Sequence, residues 1–100
     1  MKKSPAAPTY DLTLYTTGAA PRSVRAVKNL VHFCRTHLAG RYRLRVVDLY
    51  EEPAEAALAQ VVAVPTLLKL HPMPVRRIIG DMSDDGQMSR VLGLAVESKP

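Results

Sequence analysis

The sequence predicts a mixed α/β domain in the order βαβαββα, a four-stranded mixed sheet with three helices. Three observations carry this. Two segments, Tyr10–Tyr15 and Tyr42–Tyr50, alternate apolar and polar residues at the two-residue period of a strand. Each is followed by a segment of helical character, first after Pro21 and then after Glu52. Two short apolar runs, near Pro65 and Val75, then precede a last amphipathic stretch. Strand–helix–strand steps give a parallel pair with a right-handed crossover, and the tight connection between the last two strands makes them an antiparallel hairpin.

Met1–Pro8 holds two lysines, two prolines and small residues and is expected to be a flexible tail, so one domain runs over residues 9–97. In the first strand Tyr10, Leu12 and Leu14 oppose Asp11, Thr13 and Tyr15, which predicts one face more buried than the other. Gly18 permits a sharp loop and Pro21 suits the first helical position. Val24, Val27, Val31, Cys34 and Leu38 recur at three- and four-residue steps and form the expected buried stripe, with Gly40 as the stop. Leu44 and Val46 oppose Arg43 and Arg45 in the second strand. Glu51, Glu52, Pro53 and Glu55 put acid at the start of a second helix expected over 52–62, where the helix dipole favours negative charge. The third strand is expected from Pro65 to Leu70 and the fourth from Val75 to Ile79. After Gly80, Ser83 or Asp81 is expected to cap a last helix with the stripe Met88, Val91, Leu92 and Ala95. This order, with Pro65 opening the third strand, resembles the thioredoxin fold, which implies a cis Val64–Pro65 bond.

Composition narrows the function classes. A hundred residues, 47% of them apolar, can build one core without disulfides. The single Cys34 and the missing signal peptide point to a reducing, cytoplasmic setting, and no apolar run approaches the ~20 residues of a membrane span. A net charge of +5 favours an acidic partner surface, but the arginines are scattered, and five aromatics without tryptophan make a poor base-stacking platform. No nucleic-acid or membrane partner is expected.

The places where chemistry could sit are empty of it. Thr16–Ser23 occupies the position of a thioredoxin-type redox motif and carries no thiol, while Cys34 lies on the apolar face of its helix. His32, Cys34 and His37 cannot converge on one metal, because at roughly 100° per residue Cys34 and His37 lie about 200° and 140° around the helix from His32. Gly18 stands alone, so there is no glycine-rich phosphate loop. Asp81, Asp84 and Asp85 precede a helix and lack calcium-loop spacing. Neither catalytic residues nor cofactors are expected.

Together, "LYTTGAAPRSVRAVKNL", "RLRVVDLYEEP" and "AVPTLLKLHPMPVRRIIGDMSD" resemble the KaiB family of circadian clock proteins over roughly Tyr10 to Leu94. The resemblance implies a non-enzymatic binding protein that docks on the N-terminal ATPase ring of a hexameric KaiC-like protein, with KaiA-like or histidine-kinase output proteins as further partners. It also implies a second packing of the C-terminal half from about Val61, tetrameric where the thioredoxin-like form is monomeric. The implied contacts are Tyr50, Glu52, Pro53, Glu55 and Gln60, with a surface formed by Lys69, Arg76 and Arg77. Gly18, Pro65, Pro72, Pro74, Gly80, Asp81 and Ala95 are the positions implied to decide the fold. Met73 interrupts the family's run of prolines and Gln60 stands where lysine is frequent, which suits an atypical clock-related or stress-related paralogue. The amphipathic last helix suits a dominant thioredoxin-like monomer. The alternatives are a sensor module of the SasA type, which does not switch fold, and a thioredoxin-type oxidoreductase, which an insulin-reduction assay separates.

Overall fold

Seven elements follow one another in the computed structural model, which describes residues 9–94. They are β1 (Tyr10–Thr16), α1 (Pro21–His37), β2 (Tyr42–Asp48), α2 (Pro53–Ala59), β3 (Thr66–His71), β4 (Arg76–Ile79) and α3 (Asp85–Leu92). The expected tail at 1–8, Ala95 and the domain end at 97 lie outside the described residues. The sheet order is β2-β1-β3-β4. β1 runs parallel to β2, with Tyr10 opposite Tyr42 and Thr16 opposite Asp48, and antiparallel to β3, with Tyr15 opposite Thr66. The β3–β4 hairpin sets Leu67 against Ile78, Leu68 against Arg77 and Lys69 against Arg76.

As a central strand β1 is covered on both faces. Tyr10, Leu12 and Leu14 join Leu30, Phe33, Leu67, Met88 and Leu92 in the main core under α1 and α3. Thr13 and Tyr15, expected on the less buried face, are buried too; Tyr15 packs with Val47 and Leu68, and Ala59, Val61 and Val64 close over them.

The buried face of α1 keeps Cys34 of the expected stripe and, just past the helix end, Leu38, with Val27 partly buried against the core, but turns away from Val24. It consists of Ser23, Ala26, Leu30, Phe33 and Cys34, whereas Val24 is 44% exposed. Small residues at 23 and 26 let the first turn approach the sheet, where a valine would hold it off, and the bulkier Leu30 and Phe33 then fill the centre. Ser23 Oγ also accepts from the Thr17 N–H at 3.0 Å, tying that turn to the loop before it.

Helix α2 is shorter than the expected 52–62 span. Gln60 adopts a left-handed conformation at φ 56°, and Val61 N–H closes back on the Ala56 carbonyl at 3.0 Å. This turn delivers Val61 and Val64 to the smaller core. Strand β4 begins at Arg76, one residue later than expected, and β3 begins at Thr66 and extends one residue further, to His71. The Val64–Pro65 bond is cis, as are His71–Pro72 and Met73–Pro74.

The cap of α3 is Asp84, not Ser83 or Asp81: its Oδ1 accepts from the Gln87 N–H at 2.9 Å. Asp81 ties the β4–α3 connection to α1 instead. Its carbonyl accepts from Asn29 Nδ2 at 2.8 Å, and its carboxylate meets Ser83 N–H at 3.2 Å and Arg25 Nε at 3.4 Å. Hydrogen bonds from Ser83, then from Arg25, hold the Asp81 carboxyl below its ordinary value. Asp84→Ala is expected to lower stability by about 1 kcal/mol, the usual worth of such a cap, and to show as a fall in the urea midpoint at unchanged slope. Asp81→Ala, by contrast, should leave the cap intact.

Candidate functional site

The β1–α1 loop and the loop leading into α2 meet through one carboxylate. Asp48 Oδ1 accepts from the Gly18 N–H at 3.2 Å and the Tyr50 N–H at 2.9 Å. Gly18 sits at φ +55°, and a Cβ there would lie 3.5 Å from the Tyr50 ring, so the backbone conformation, more than space, calls for glycine. In a thioredoxin-type enzyme this loop would carry the reactive thiols, and here Cys34 lies far from it in the core with no exposed surface. Burial pushes the Cys34 thiol up to about 11, so at neutral pH it holds almost no thiolate to attack a disulfide. His32 is exposed, and the His37 ring lies 4.4 Å from the Phe33 ring. Among the described residues no three His, Cys, Asp or Glu side chains are gathered closely enough to hold a metal ion.

What the fold does present is the outer surface of α2. None of its residues is buried. Leu58 is 82% exposed, and the flanking Tyr50 and Val62 are 78% and 88% exposed. Large apolar side chains left this open on one short helix and its flanks mark a surface suited to a partner more than to solvent. Acid surrounds the helix start: Glu51 and Glu52 are exposed, and Glu55 accepts from Arg45 of β2 at 2.7 Å.

The far end of α2 is held by the sheet. Arg77 reaches from β4 and donates from Nη2 to the Ala59 carbonyl at 2.7 Å and from Nη1 to the Gln60 carbonyl at 3.4 Å. A guanidinium on the last carbonyls of a helix both satisfies orphan acceptors and opposes the negative end of its dipole. Ile79, 55% exposed, alternates with Arg77 and so faces the same side of the sheet.

Of the implied contact residues, Tyr50, Glu52, Pro53, Glu55, Gln60 and Arg77 therefore come together around α2. Lys69 and Arg76 do not. The β3–β4 register places them on the opposite face of the sheet, under α3, and Lys69 is only 3% exposed, with Nζ donating to the Pro72 carbonyl at 2.6 Å. The expected surface of Lys69, Arg76 and Arg77 is thus split by the sheet itself. Leu58, Val62 and Ile79 were not singled out by the sequence; each is an apolar residue in or beside a stretch too alanine-rich or too short to show which side it presents. Among the implied fold-determining positions, Gly80 takes φ 125° and its N–H donates to the Pro65 carbonyl at 3.0 Å, which joins the end of β4 to the start of β3.

Comparison with known proteins places this geometry. The model of the KaiB domain family matches residues 13–94. The chain is 47% identical over 76 residues to the circadian clock oscillator protein KaiB of Acaryochloris marina, spanning 76% of this chain and 73% of that one. It is equally similar to the KaiB of Synechococcus elongatus, spanning 74% of that protein. Among solved structures, the N-terminal domain of Synechococcus elongatus SasA superposes with a TM-score of 0.72 at 18% identity, covering 93% of this chain and 91% of that one. Mitochondrial thioredoxin 3 of Saccharomyces cerevisiae gives 0.69 at 16% identity, covering 87% and 80%. The fold is therefore thioredoxin-like.

Proposed function

This chain belongs to the KaiB family, and from that premise we propose that it is a regulatory binding protein that docks through the α2 surface on the N-terminal ATPase ring of a KaiC-like hexamer. It catalyses nothing itself. The observation that carries this reading is the unburied α2, with Tyr50, Leu58 and Val62 open to a partner, beside a redox position without a thiol. Arg77 belongs to the docking surface by holding the end of α2, while Arg76 faces away from it.

The C-terminal half from Val61 is the part proposed to adopt a second packing. Pro65, Pro72 and Pro74 remove three backbone donors from it, which lowers its commitment to any one ladder. A second reading, a SasA-type sensor module that docks without rearranging, is favoured by the superposition on the SasA domain over 93% of the chain.

The test is co-elution with a KaiC-like hexamer prepared with ATP, with ADP and without nucleotide. A complex that forms in one nucleotide state is expected; no complex in any state would overturn the reading. Arg77→Glu should weaken it roughly tenfold or more, and Arg76→Glu should change it by less than about threefold. Slow onset of binding together with a tetramer in the free protein would favour the rearranging form over the sensor module.

A further inference from the structure

The opposite face of the sheet holds a second feature that the docking surface does not use. A groove of about 460 Å³ lies between the end of α3, the β3–β4 loop and the loop after α1. Arg41, Lys69, Arg76 and Arg90 line it, and among the described residues no Asp or Glu does. Tyr10, Met73 and Leu94 give it apolar walls.

Lys69 makes this more than a chance grouping of surface charge. It is buried at 3% exposure, its Nζ has the Pro72 carbonyl as acceptor, and among the described residues no carboxylate lies within ion-pair distance of it. A largely covered ammonium without a counter-charge is stabilised when something negative meets it. Burial first, and the nearby Arg76 second, push the Lys69 ammonium below its ordinary value, as expected of a corner with unbalanced positive charge. Arg41 and Arg76 likewise lack a carboxylate partner among the described residues. Arg90 stands at the rim, its guanidinium turned back along α3 to within 3.5 Å of where a Gly86 Cβ would be.

The end of α3 does not account for these cations. The carbonyls of Ser89 and Arg90 accept from the Leu94 and Gly93 N–H groups, and the Leu92 carbonyl accepts from Tyr10 Oη at 2.9 Å. What remains there is a dipole end worth about half a charge, set against the cations of Arg41, Lys69 and Arg76.

The geometry points to this groove as a binding site for a compact polyanion, a small molecule carrying two or more phosphate groups. Its volume exceeds what one phosphate needs and falls in the range of small-molecule sites. Lys69 supplies a fixed point charge at the floor, and Arg41 and Arg76 supply planar forks that can take phosphate oxygens in pairs. The apolar walls would cover an organic portion.

The test is titration of the full chain with inorganic triphosphate at low ionic strength, followed by calorimetry and by backbone amide shifts. Saturable binding is expected, at least roughly tenfold tighter than for orthophosphate, with shifts at Met73, Gly93 and Leu94. Arg76→Gln, on an exposed residue, should weaken it roughly tenfold, and Lys69→Met at least as much, while Arg22→Gln on the outer face of α1 should leave it within about twofold. Equal weakening by Arg22→Gln, or no saturation, would overturn the site. Should Lys69→Met fail to fold, Arg76→Gln decides alone. The measurement needs no partner protein, so its outcome is independent of docking through α2.

Discussion

A chain carrying Leu58→Glu and Val62→Glu is expected to lose docking on a KaiC-like ring by roughly 30-fold or more while keeping its own melting temperature to within a few degrees. The two side chains are 82% and 88% exposed, so replacing them removes little packing, and changes at such sites stay within about 0.5 kcal/mol of neutral. At the centre of an interface the same apolar residues can each contribute about 2 kcal/mol, and two new carboxylates beside Glu51 and Glu52 add repulsion against an acidic partner surface. Fluorescence anisotropy against one ring preparation, with thermal melts of both proteins, gives the comparison. Undiminished affinity in the folded double variant would remove α2 from the docking surface.

Phe33→Ala is expected to destabilise the domain by about 3–5 kcal/mol, a large part of the ~5–15 kcal/mol that holds a chain of this size folded. Phe33 is 1% exposed at the centre of the main core, and its removal leaves a cavity that the sheet and helices cannot close. Val24→Ala provides the contrast. At 44% exposure it should cost below ~1 kcal/mol, although the periodic valine pattern would assign it to the core. Urea unfolding of both variants decides the rotation of α1, and a larger loss from Val24→Ala than from Phe33→Ala would reverse it.

Those two residues show what the sequence could and could not display. The order of elements was legible because each carried a local signal: alternation in β1 and β2, Pro21 and Pro53 at helix starts, Gly80 before the last helix. The rotation of α1 was not, since hydrophobicity scores a valine above a serine or an alanine, whereas close approach to a sheet rewards the smaller side chain. The end of α2 was hidden because Gln60 has no compositional mark of a left-handed residue; glycine is the usual one. For the candidate site, the acidic approach at Glu51–Glu55 was legible as charge at a helix start. The parting of Arg76 from Arg77 follows from the two-residue period, but joining Arg77 to the α2 carbonyls required the β3–β4 register. Leu58 and Val62 became informative only when the structure showed that no element among the described residues covers them. Lys69 reads as a surface cation by composition, and its burial under α3 depends on contacts between segments far apart in the chain.

The sheet order has a bearing on how copies of this protein treat one another. β2 and β4 are its two edges, each with a row of backbone groups that a second sheet could extend. β4 is four residues long and half arginine, and β2 carries Arg43 and Arg45 among its seven. A copy arriving at β4 would set guanidinium against guanidinium, and like charges facing across strands oppose pairing, whereas on β2 Arg43 and Arg45 are met by Asp11 and Glu55. Part of the chain's excess positive charge therefore stands guard against polymerisation, a protection that screening by salt would thin.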